Sequence, residues 1–192
     1  TLYRIRCTNN DFSNAQSTRI HTLLATAGTV SNCVISTCYS AYEAPVGING
    51  GTLVDCVITN SGTGDSCSIG GGVSIFGSNG RLIRGTVTAC YGTGGWGVYI
   101  NSATAEVRDS LFYGNKYLSS SRVNSGAVNL LRGTLVNCII TNNSGESCGG
   151  LTAGYDFNLS GSADSILVRN CLVAGNSAVK AMTKNSVGYG AA

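Results

Sequence analysis

The feature of this sequence that most restricts its fold is an internal repeat. Residues 51–56 read GTLVDC and residues 133–138 read GTLVNC, and looser copies of this block stand at 28–33 and 166–171. Alignment of the whole chain on the last position of the block gives spacings of 28, 23, 29, 25, 28 and 33 residues. The aligned residues are Ile5, Cys33, Cys56, Gly85, Ser110, Cys138 and Cys171. Such a repeat predicts an array of similar structural units.

Two apolar columns flank the aligned position. The residues three places before it are Leu2, Val30, Leu53, Leu82, Val107, Leu135 and Val168. The residues two places after it are Cys7, Ile35, Ile58, Val87, Phe112, Ile140 and Val173. Polar or small residues separate these positions, and a turn rich in asparagine and glycine follows. Alternation of this kind predicts short, half-buried β-strands.

A second apolar segment follows in each repeat. It occupies residues 20–23, 46–48, 73–75, 98–100, 128–130, 151–153 and 187–189. Each repeat is therefore expected to hold two or three short strands, and no stretch has the periodicity of a helix. One such unit cannot bury its own apolar face, but units stacked about 4.8 Å apart can do so. The pattern predicts one all-β domain over residues 1–192, a parallel β-solenoid of about seven coils.

Two blocks carry a resemblance to a known family. Residues 138–143 read CIITNN and residues 169–178 read RNCLVAGNSA. They resemble the repeats of right-handed parallel β-helices, which occur in pectate-lyase-like enzymes and in bacterial surface proteins of the autotransporter type. The glycine-rich stretch GGGVSI at 70–75 is similar to the second strand of the surface-protein group. The resemblance implies a right-handed parallel β-helix, although the family's usual N-terminal capping helix has no counterpart because Leu2 already lies in the first strand.

The two ends of the chain fall at matching phases of the repeat. In two inner repeats five residues separate the second apolar segment from the next column, and five residues also separate Tyr189 from Leu2 of a second copy. A second copy could thus continue the array in register, with Leu2, Ile5 and Cys7 meeting the end that carries Val187 and Tyr189. The alternative is a longer solenoid cut at repeat boundaries. The first hypothesis predicts an open, head-to-tail homopolymer.

Composition narrows the range of partners and locations. Charged residues make up 11% of the chain, against roughly 25% in an ordinary domain. The net charge of +3 comes from scattered residues, which argues against nucleic-acid binding. No apolar run reaches the roughly 18 residues of a membrane span. The chain starts at Thr1 with neither an initiator methionine nor a signal peptide, which favours a processed protein that is extracellular or attached to the cell surface.

The nine cysteines are an odd number, so at least one has no partner within the chain. Cys33 with Cys56, and Cys138 with Cys171, fall in one inward column, either as a buried stack or as bridges between coils. Better disulfide candidates in an extracellular protein are Cys38 and Cys90, at a turn, and Cys67 and Cys148, in a shared Gly-acid-Ser-Cys context. Without CxxC pairs, and with His21 as the single histidine, no zinc site is expected.

The strongest candidate for surface chemistry is the column just before the cysteines. There Asp55, Arg84 and Asp109 fall on three successive repeats. This pattern is typical of an alternating-charge ladder that maintains register, and it would make a poor calcium site because two aspartates flank an arginine. Asn142 and Asn158 match the glycan acceptor pattern. Tyrosines and Trp96 near turns could contact carbohydrate, and no cofactor is expected.

The sequence therefore favours a structural role over an enzymatic one. The leading hypothesis is a secreted or cell-surface subunit that stacks end to end into a filament, or that forms the stalk of an adhesin. The alternative is a module that binds or cleaves polysaccharide, as in the lyase branch of the resembling family.

Overall fold

The computed structural model describes residues 1–12, 21–64, 70–92, 96–117, 126–145, 148–154, 165–178 and 190–191. Throughout these ranges the chain consists of short β-strands joined by turns, and no helix occurs in them. With one exception the strands pair in parallel. The predicted all-β class with parallel sheets is confirmed.

The strands of the first column carry the predicted residues three places before the aligned position. They are Leu2–Tyr3, Thr29–Ser31, Thr52–Val54, Arg81–Ile83, the end of Val98–Arg108, the end of Val128–Val136 and Ile166–Arg169. Leu2 is paired with Val30, and the series continues through every predicted member to Val168. The repeat alignment made from the sequence is therefore the register of the sheet.

The second column follows after a tight turn. Its strands are Arg6–Thr8, Val34–Ser36, Val57–Thr59, Thr86–Thr88, Leu111–Tyr113, Ile139–Thr141 and Leu172–Ala174. These seven strands form one parallel sheet, in which Cys7, Ile35 and the equivalent residues are in register up to Val173.

A third column of two-residue strands comes next, and the sequence did not resolve it because two residues are too few to show alternation. Its strands are Asp11–Phe12, Tyr39–Ser40, Gly62–Thr63, Tyr91–Gly92, Lys116–Tyr117, Ser144–Gly145 and Ser177–Ala178. They also form a parallel sheet.

The fourth column contains the second apolar segments. Its strands are Leu23–Ala25, Val46–Ile48, Val73–Ile75, the start of Val98–Arg108, the start of Val128–Val136, Leu151–Ala153 and Gly190–Ala191. In the two long strands the fourth column runs directly into the first column, so both belong to one sheet.

Two predicted strands of the fourth column, the first and the last, differ from the sequence-based expectation or fall outside the described residues. The first strand is Leu23–Ala25 rather than residues 20–23, because Leu23 takes the position opposite Val46. The predicted strand at Val187–Tyr189 lies outside the described residues. The strand that pairs with Leu151–Ala153 on that side is Gly190–Ala191, and it runs antiparallel, unlike the continuation expected from the repeat.

One core lies between these columns. It joins inward residues of the first column such as Leu53, of the second such as Ile58, and of the fourth such as Ile75, all with no exposed surface. Burial of these columns is the main source of stability, since roughly 25 cal/mol is gained per Å² of apolar surface removed from water.

Each repeat contains two sharp turns whose backbone conformation favours asparagine, aspartate and glycine. The residue before the cysteine column always has a positive φ, from 49° to 54° in the set Arg4, Asn32, Asp55, Arg84, Asp109, Asn137 and Asn170. The turn after the second column has φ from 48° to 63° in the set Asn9, Thr37, Asn60, Ala89, Gly114, Asn142 and Gly175. Asparagine, aspartate and glycine tolerate this left-handed region best, which explains their frequency at both turns.

Candidate functional site

The first repeat forms an open edge of the sheets. Its strands Leu2–Tyr3, Arg6–Thr8 and Asp11–Phe12 each pair on one side only, among the residues described. Leu2 is 46% exposed, whereas Val30, its neighbour in the same column, is 5% exposed. Ile5 is also exposed and Cys7 is half-buried, while Cys33 and Ile35 above them are buried. These side chains lose their cover because no further repeat lies on this side in the described structure.

The last repeat forms a second open edge. Within the described part of the chain, the strands Ile166–Arg169, Leu172–Ala174 and Ser177–Ala178 also pair on one side only. Val168 is 39% exposed, whereas Leu135 in the same column is fully buried. The structure thus brings Leu2, Ile5 and Cys7 together at one edge. Val187 and Tyr189, expected at the opposite edge, lie outside the described residues.

A polar column inside the turn between the second and third columns was missed by the sequence analysis. Its members stand five residues after the cysteine column in every repeat: Asn10, Cys38, Ser61, Cys90, Asn115, Asn143 and Asn176. The signal that could have revealed it is this constant offset, which places only Asn, Ser or Cys at the position.

Three of these asparagines form a hydrogen-bonded ladder. The Nδ2 group of Asn115 donates to Oδ1 of Asn143 at 2.9 Å, and that of Asn143 donates to Oδ1 of Asn176 at 2.9 Å. The backbone N–H groups of Asn115 and Asn143 donate to the same two oxygens at 2.9 and 3.0 Å. Each side-chain oxygen therefore accepts two hydrogen bonds from the preceding repeat. Because Asn115 and Asn143 are buried, these bonds satisfy groups that would otherwise be costly.

Backbone N–H groups also donate to the side-chain oxygen of the next repeat where the column contains serine or cysteine. The backbone N–H of Cys38 donates to Oγ of Ser61 at 3.2 Å, and that of Cys90 donates to Oδ1 of Asn115 at 3.0 Å. Asn115, Asn143 and Asn176 each also donate to a carbonyl of the preceding repeat, as Asn176 does to Ile140 at 2.9 Å. The hydrogen bonds that end on a side-chain oxygen of this column all run the other way, with the donor on the earlier repeat and the acceptor on the later one.

The charged ladder predicted from the sequence has its members on adjacent repeats. Arg84 makes a bidentate ion pair with Asp55: Nε donates to Oδ1 at 2.7 Å and one terminal nitrogen donates to Oδ2 at 2.8 Å. The hydrogen bond from Arg84 lowers the pKa of Asp55 below its ordinary value, and the pKa of Arg84 is raised in return.

Asp109 does not pair directly with Arg84. Its Oδ1 accepts a hydrogen bond from Nδ2 of Asn137 at 3.1 Å, and its Oδ2 accepts one from Arg108 at 2.7 Å. The bond from Asn137, followed by the bond from Arg108, lowers the pKa of Asp109. Glu106 lies 3.6 Å from Arg81 and 3.7 Å from Arg108. The carboxylates of Asp55, Asp109 and Glu106 therefore face arginine and asparagine donors, and the pairs of Asp55 with Arg84, Asp109 with Asn137 and Glu106 with Arg81 join adjacent repeats.

The cysteines of the described chain are free thiols: Cys7, Cys33, Cys38, Cys56, Cys90, Cys138, Cys148 and Cys171. Of the disulfide candidates, Cys38, Cys90 and Cys148 are buried and unbridged, and Cys67 lies outside the described residues. Burial raises the pKa of Cys90 to about 12 and that of Cys138 to about 12. Cys33, Cys56 and Cys138 belong to the core, in agreement with a buried stack.

Trp96 does not provide the exposed aromatic surface for carbohydrate that the sequence predicted. Trp96, expected near the surface, is fully buried and packs edge-on against Tyr117 at a centroid distance of 5.1 Å. A fully buried ring cannot serve as a platform for a sugar. Asn142 is exposed at a turn, where a glycan acceptor would be accessible, and Asn158 lies outside the described residues.

The described part of the chain shows neither a metal-binding cluster nor a membrane-spanning helix. Among the residues described, no group of three or more metal-binding side chains is found, and no helix there is long and apolar enough to cross a membrane. Neither a protein-family model nor a curated protein matches the sequence. The two open edges and the ladders between them are therefore the main candidate functional features of the described structure.

Proposed function

We propose that this chain is a right-handed parallel β-helix of about seven coils that serves as a structural subunit, stacked head to tail into a filament outside the cell or on its surface. The observation that carries the proposal is the pair of open edges. At both edges the inward apolar columns lose the burial that they have elsewhere, as Leu2 and Val168 show against Val30 and Leu135. Unpaired parallel edges over an apolar core favour the addition of another strand layer.

The two edges are different surfaces, so pairing between copies would be heterologous and would not close. The resemblance to bacterial surface β-helices and the low charge of the chain support a position outside the cell or on its surface. They are also compatible with the alternative that the chain forms the stalk of an adhesin. No observation on the described residues specifically favours the polysaccharide lyase or carbohydrate-binding hypothesis, because the charged ladder is engaged in its own pairs.

Charge at the edges suggests the conditions for assembly. Among the described residues Arg4, Arg6 and Asp11 lie at the first edge and Arg169 at the last, so stacking brings together two edges that each have a net positive charge. Salt screens such repulsion, with a Debye length near 3 Å at 1 M. We expect filaments of the purified chain by negative stain, with a critical concentration in sedimentation that falls as NaCl is raised. A chain that stays monomeric at millimolar concentration in 1 M NaCl would overturn the proposal.

The matched variants are Leu2→Asp and Ile139→Asp. Leu2 is 46% exposed at the edge, and Ile139 is 44% exposed on the outer face of an inner repeat. Stacking would bury the new charge only in Leu2→Asp, and burial of an unpaired carboxylate is strongly unfavourable. Leu2→Asp is expected to raise the critical concentration at least about 100-fold with an unchanged circular dichroism spectrum. Ile139→Asp is expected to assemble like the unmodified chain, and equal assembly of both variants would contradict the proposal.

The location can be tested on the source organism itself. Protease added to intact cells is expected to remove the protein from the cell fraction, while a cytosolic marker persists. Protection of the chain from protease until the cells are lysed would overturn this part of the proposal.

A further inference from the structure

We infer that the polar ladder continues between copies, with Asn176 of one subunit donating to Asn10 of the next, so that this pair sets the register of the head-to-tail contact. The inference rests on the proposed function, since it specifies how two stacked copies would meet. It names the partner as a second copy of this chain and identifies the residues that recognise it.

The two ends of the polar ladder have unused hydrogen-bonding groups. In inner repeats the backbone N–H and the Nδ2 group of an asparagine both donate to the Oδ1 atom of the following asparagine. Asn176 is the last member, and within the described chain its Nδ2 group donates to the Ile140 carbonyl alone. Asn10 is the first member, and its Nδ2 group contacts Sγ of Cys38 at 3.8 Å while its Oδ1 has no donor among the described residues. One end therefore offers donors and the other offers the matching acceptor.

The backbone groups of the two edges are complementary in the same register. In each inner repeat the residue before the cysteine column donates its N–H to the next repeat, as Asn137 does to the Arg169 carbonyl at 3.0 Å. Asn170 and the Tyr3 carbonyl are the equivalent groups at the two edges. In the opposite direction Leu172 N–H donates to the Cys138 carbonyl at 2.9 Å, and the equivalent pair is Arg6 N–H with the Cys171 carbonyl.

The asparagine pair distinguishes this register from others. Backbone pairs alone recur along a strand, and a shift by two residues would preserve many of them. A side-chain amide in a half-buried turn needs an acceptor at one particular position. A shifted register would leave the amide of Asn176 without that acceptor and would therefore be less stable. With this pair in place, Val173 stacks on Cys7 and Ala174 lies opposite Thr8, as Ile35 and Ser36 do with Cys7 and Thr8 within the chain.

The test uses the full chain with Asn10→Ala, Asn10→Asp and Thr8→Ala. Asn10→Ala removes the acceptor and little else from the isolated subunit, since the only side-chain contact of Asn10 shown is the long one to Cys38. We expect a critical concentration about tenfold higher than that of the unmodified chain. Asn10→Asp retains an acceptor and is expected to restore assembly to within about threefold. Thr8→Ala changes an outward side chain on the same edge and is expected to have no effect. Unchanged assembly of Asn10→Ala, with filaments still formed, would overturn the ladder inference while the proposed function stands.

A covalent measurement reports the register directly. Thr8→Cys and Ala174→Cys are combined in one chain, and the expected contact places the two new thiols on neighbouring copies in directly opposed positions. Mild oxidation is then expected to give a series of covalent oligomers on a non-reducing gel. The control pairs Ala174→Cys with Thr59→Cys, a position paired on both sides by repeats of its own chain. Oligomers from the control and none from the Thr8 pair would overturn the inference. A chain that forms no filaments at all would instead overturn the proposed function together with it.

Discussion

At the scale of single residues, the left-handed turns explain why a few positions of each repeat are restricted in type. Thr37 has φ of 55° and Ala89 has φ of 51°, at a turn that elsewhere holds asparagine or glycine. A β-branched residue is unfavourable in this region, because its branched side chain crowds the backbone. Thr37 is exposed, so no buried packing offsets the strain.

Relief of this strain gives the first prediction. Thr37→Asn is expected to raise the free energy of unfolding by about 0.5–1 kcal/mol, because asparagine adopts the left-handed region more easily. The reciprocal change Asn142→Thr, at an exposed turn residue with φ of 54°, is expected to lower it by about 1 kcal/mol. Urea unfolding at neutral pH measures both changes. A loss of stability in Thr37→Asn would show that the threonine side chain has a favourable contact that outweighs the strain.

The ion pair of Asp55 and Arg84 gives a prediction about pH. Since the pKa of Asp55 is lower in the folded chain than its ordinary value of 3.8, the folded state binds this proton less readily than the unfolded state. The contribution to stability is therefore present above the unfolded pKa and is lost as pH falls through the folded one. Arg84→Gln is expected to raise the pKa of Asp55 toward 3.8.

Carboxyl titration followed by NMR measures this shift residue by residue. A low Asp55 pKa that persists in Arg84→Gln would mean that the turn backbone, rather than the guanidinium, stabilises the carboxylate.

At the scale of structural elements, the polar ladder connects turns that apolar packing does not hold. Asn143 is buried, donates to the Phe112 carbonyl and to Asn176, and accepts from Asn115. The strands of the third column have only two residues each, so few backbone hydrogen bonds join each of them to its neighbours in the sheet. The side-chain amides therefore anchor this column to the rest of the sheet system.

Removal of one ladder member gives the third prediction. Asn143→Ala leaves several buried groups without a partner, and each costs about 1–3 kcal/mol, so a loss of about 3 kcal/mol is expected. The control is Asn142→Gly at the adjacent exposed turn position, where glycine accepts the left-handed backbone and a change within about 0.5 kcal/mol is expected. Chemical denaturation compares the two variants. Equal stabilities would indicate that solvent replaces the lost amide and that the ladder contributes little.

At the scale of the whole molecule, the stacked repeats predict that the chain can be shortened in phase. Leu53 and Leu82 occupy equivalent positions, 29 residues apart, in neighbouring strands of the first column. Deletion of residues 53–81 joins Thr52 to Leu82 and preserves the order of all four columns. At roughly 0.1 kcal/mol per residue, the loss of stability should be about 3 kcal/mol.

The control removes residues 53–66, about half a repeat, which places apolar residues at turn positions. Circular dichroism and thermal unfolding are expected to show a folded, cooperative in-phase variant and an unfolded out-of-phase variant. If both deletions unfold the chain, the repeats are not interchangeable units.

Features that recur at the same position of every repeat could be predicted from the sequence, whereas features that depend on contacts between repeats could not. The register from Leu2 to Val168 was read from the chain because every apolar residue of that column must face the same core. The two-residue strands, such as Tyr39–Ser40, were not found because their identity depends on pairing with neighbouring repeats. The surface position assigned to Trp96 was wrong because a single aromatic residue has no periodicity from which burial can be inferred. The charged column was found, but the hydrogen bond from Arg108 to Asp109 was not, because adjacent residues of a strand normally point to opposite faces and the left-handed turn at Asp109 changes this.

The sequence by itself determined the repeat, its register and the residue types at the turns, because each repeat imposes the same local and apolar requirements on the same positions. Only the tertiary structure decided which polar groups satisfy one another across repeats and which stay open at the edges. Hydrogen bonds between residues such as Asn143 and Asn176 join positions 33 residues apart, so they exist only after the strands of neighbouring repeats have paired. The same holds for Leu2, whose exposure arises because its strand pairs on one side only within the described part of the chain.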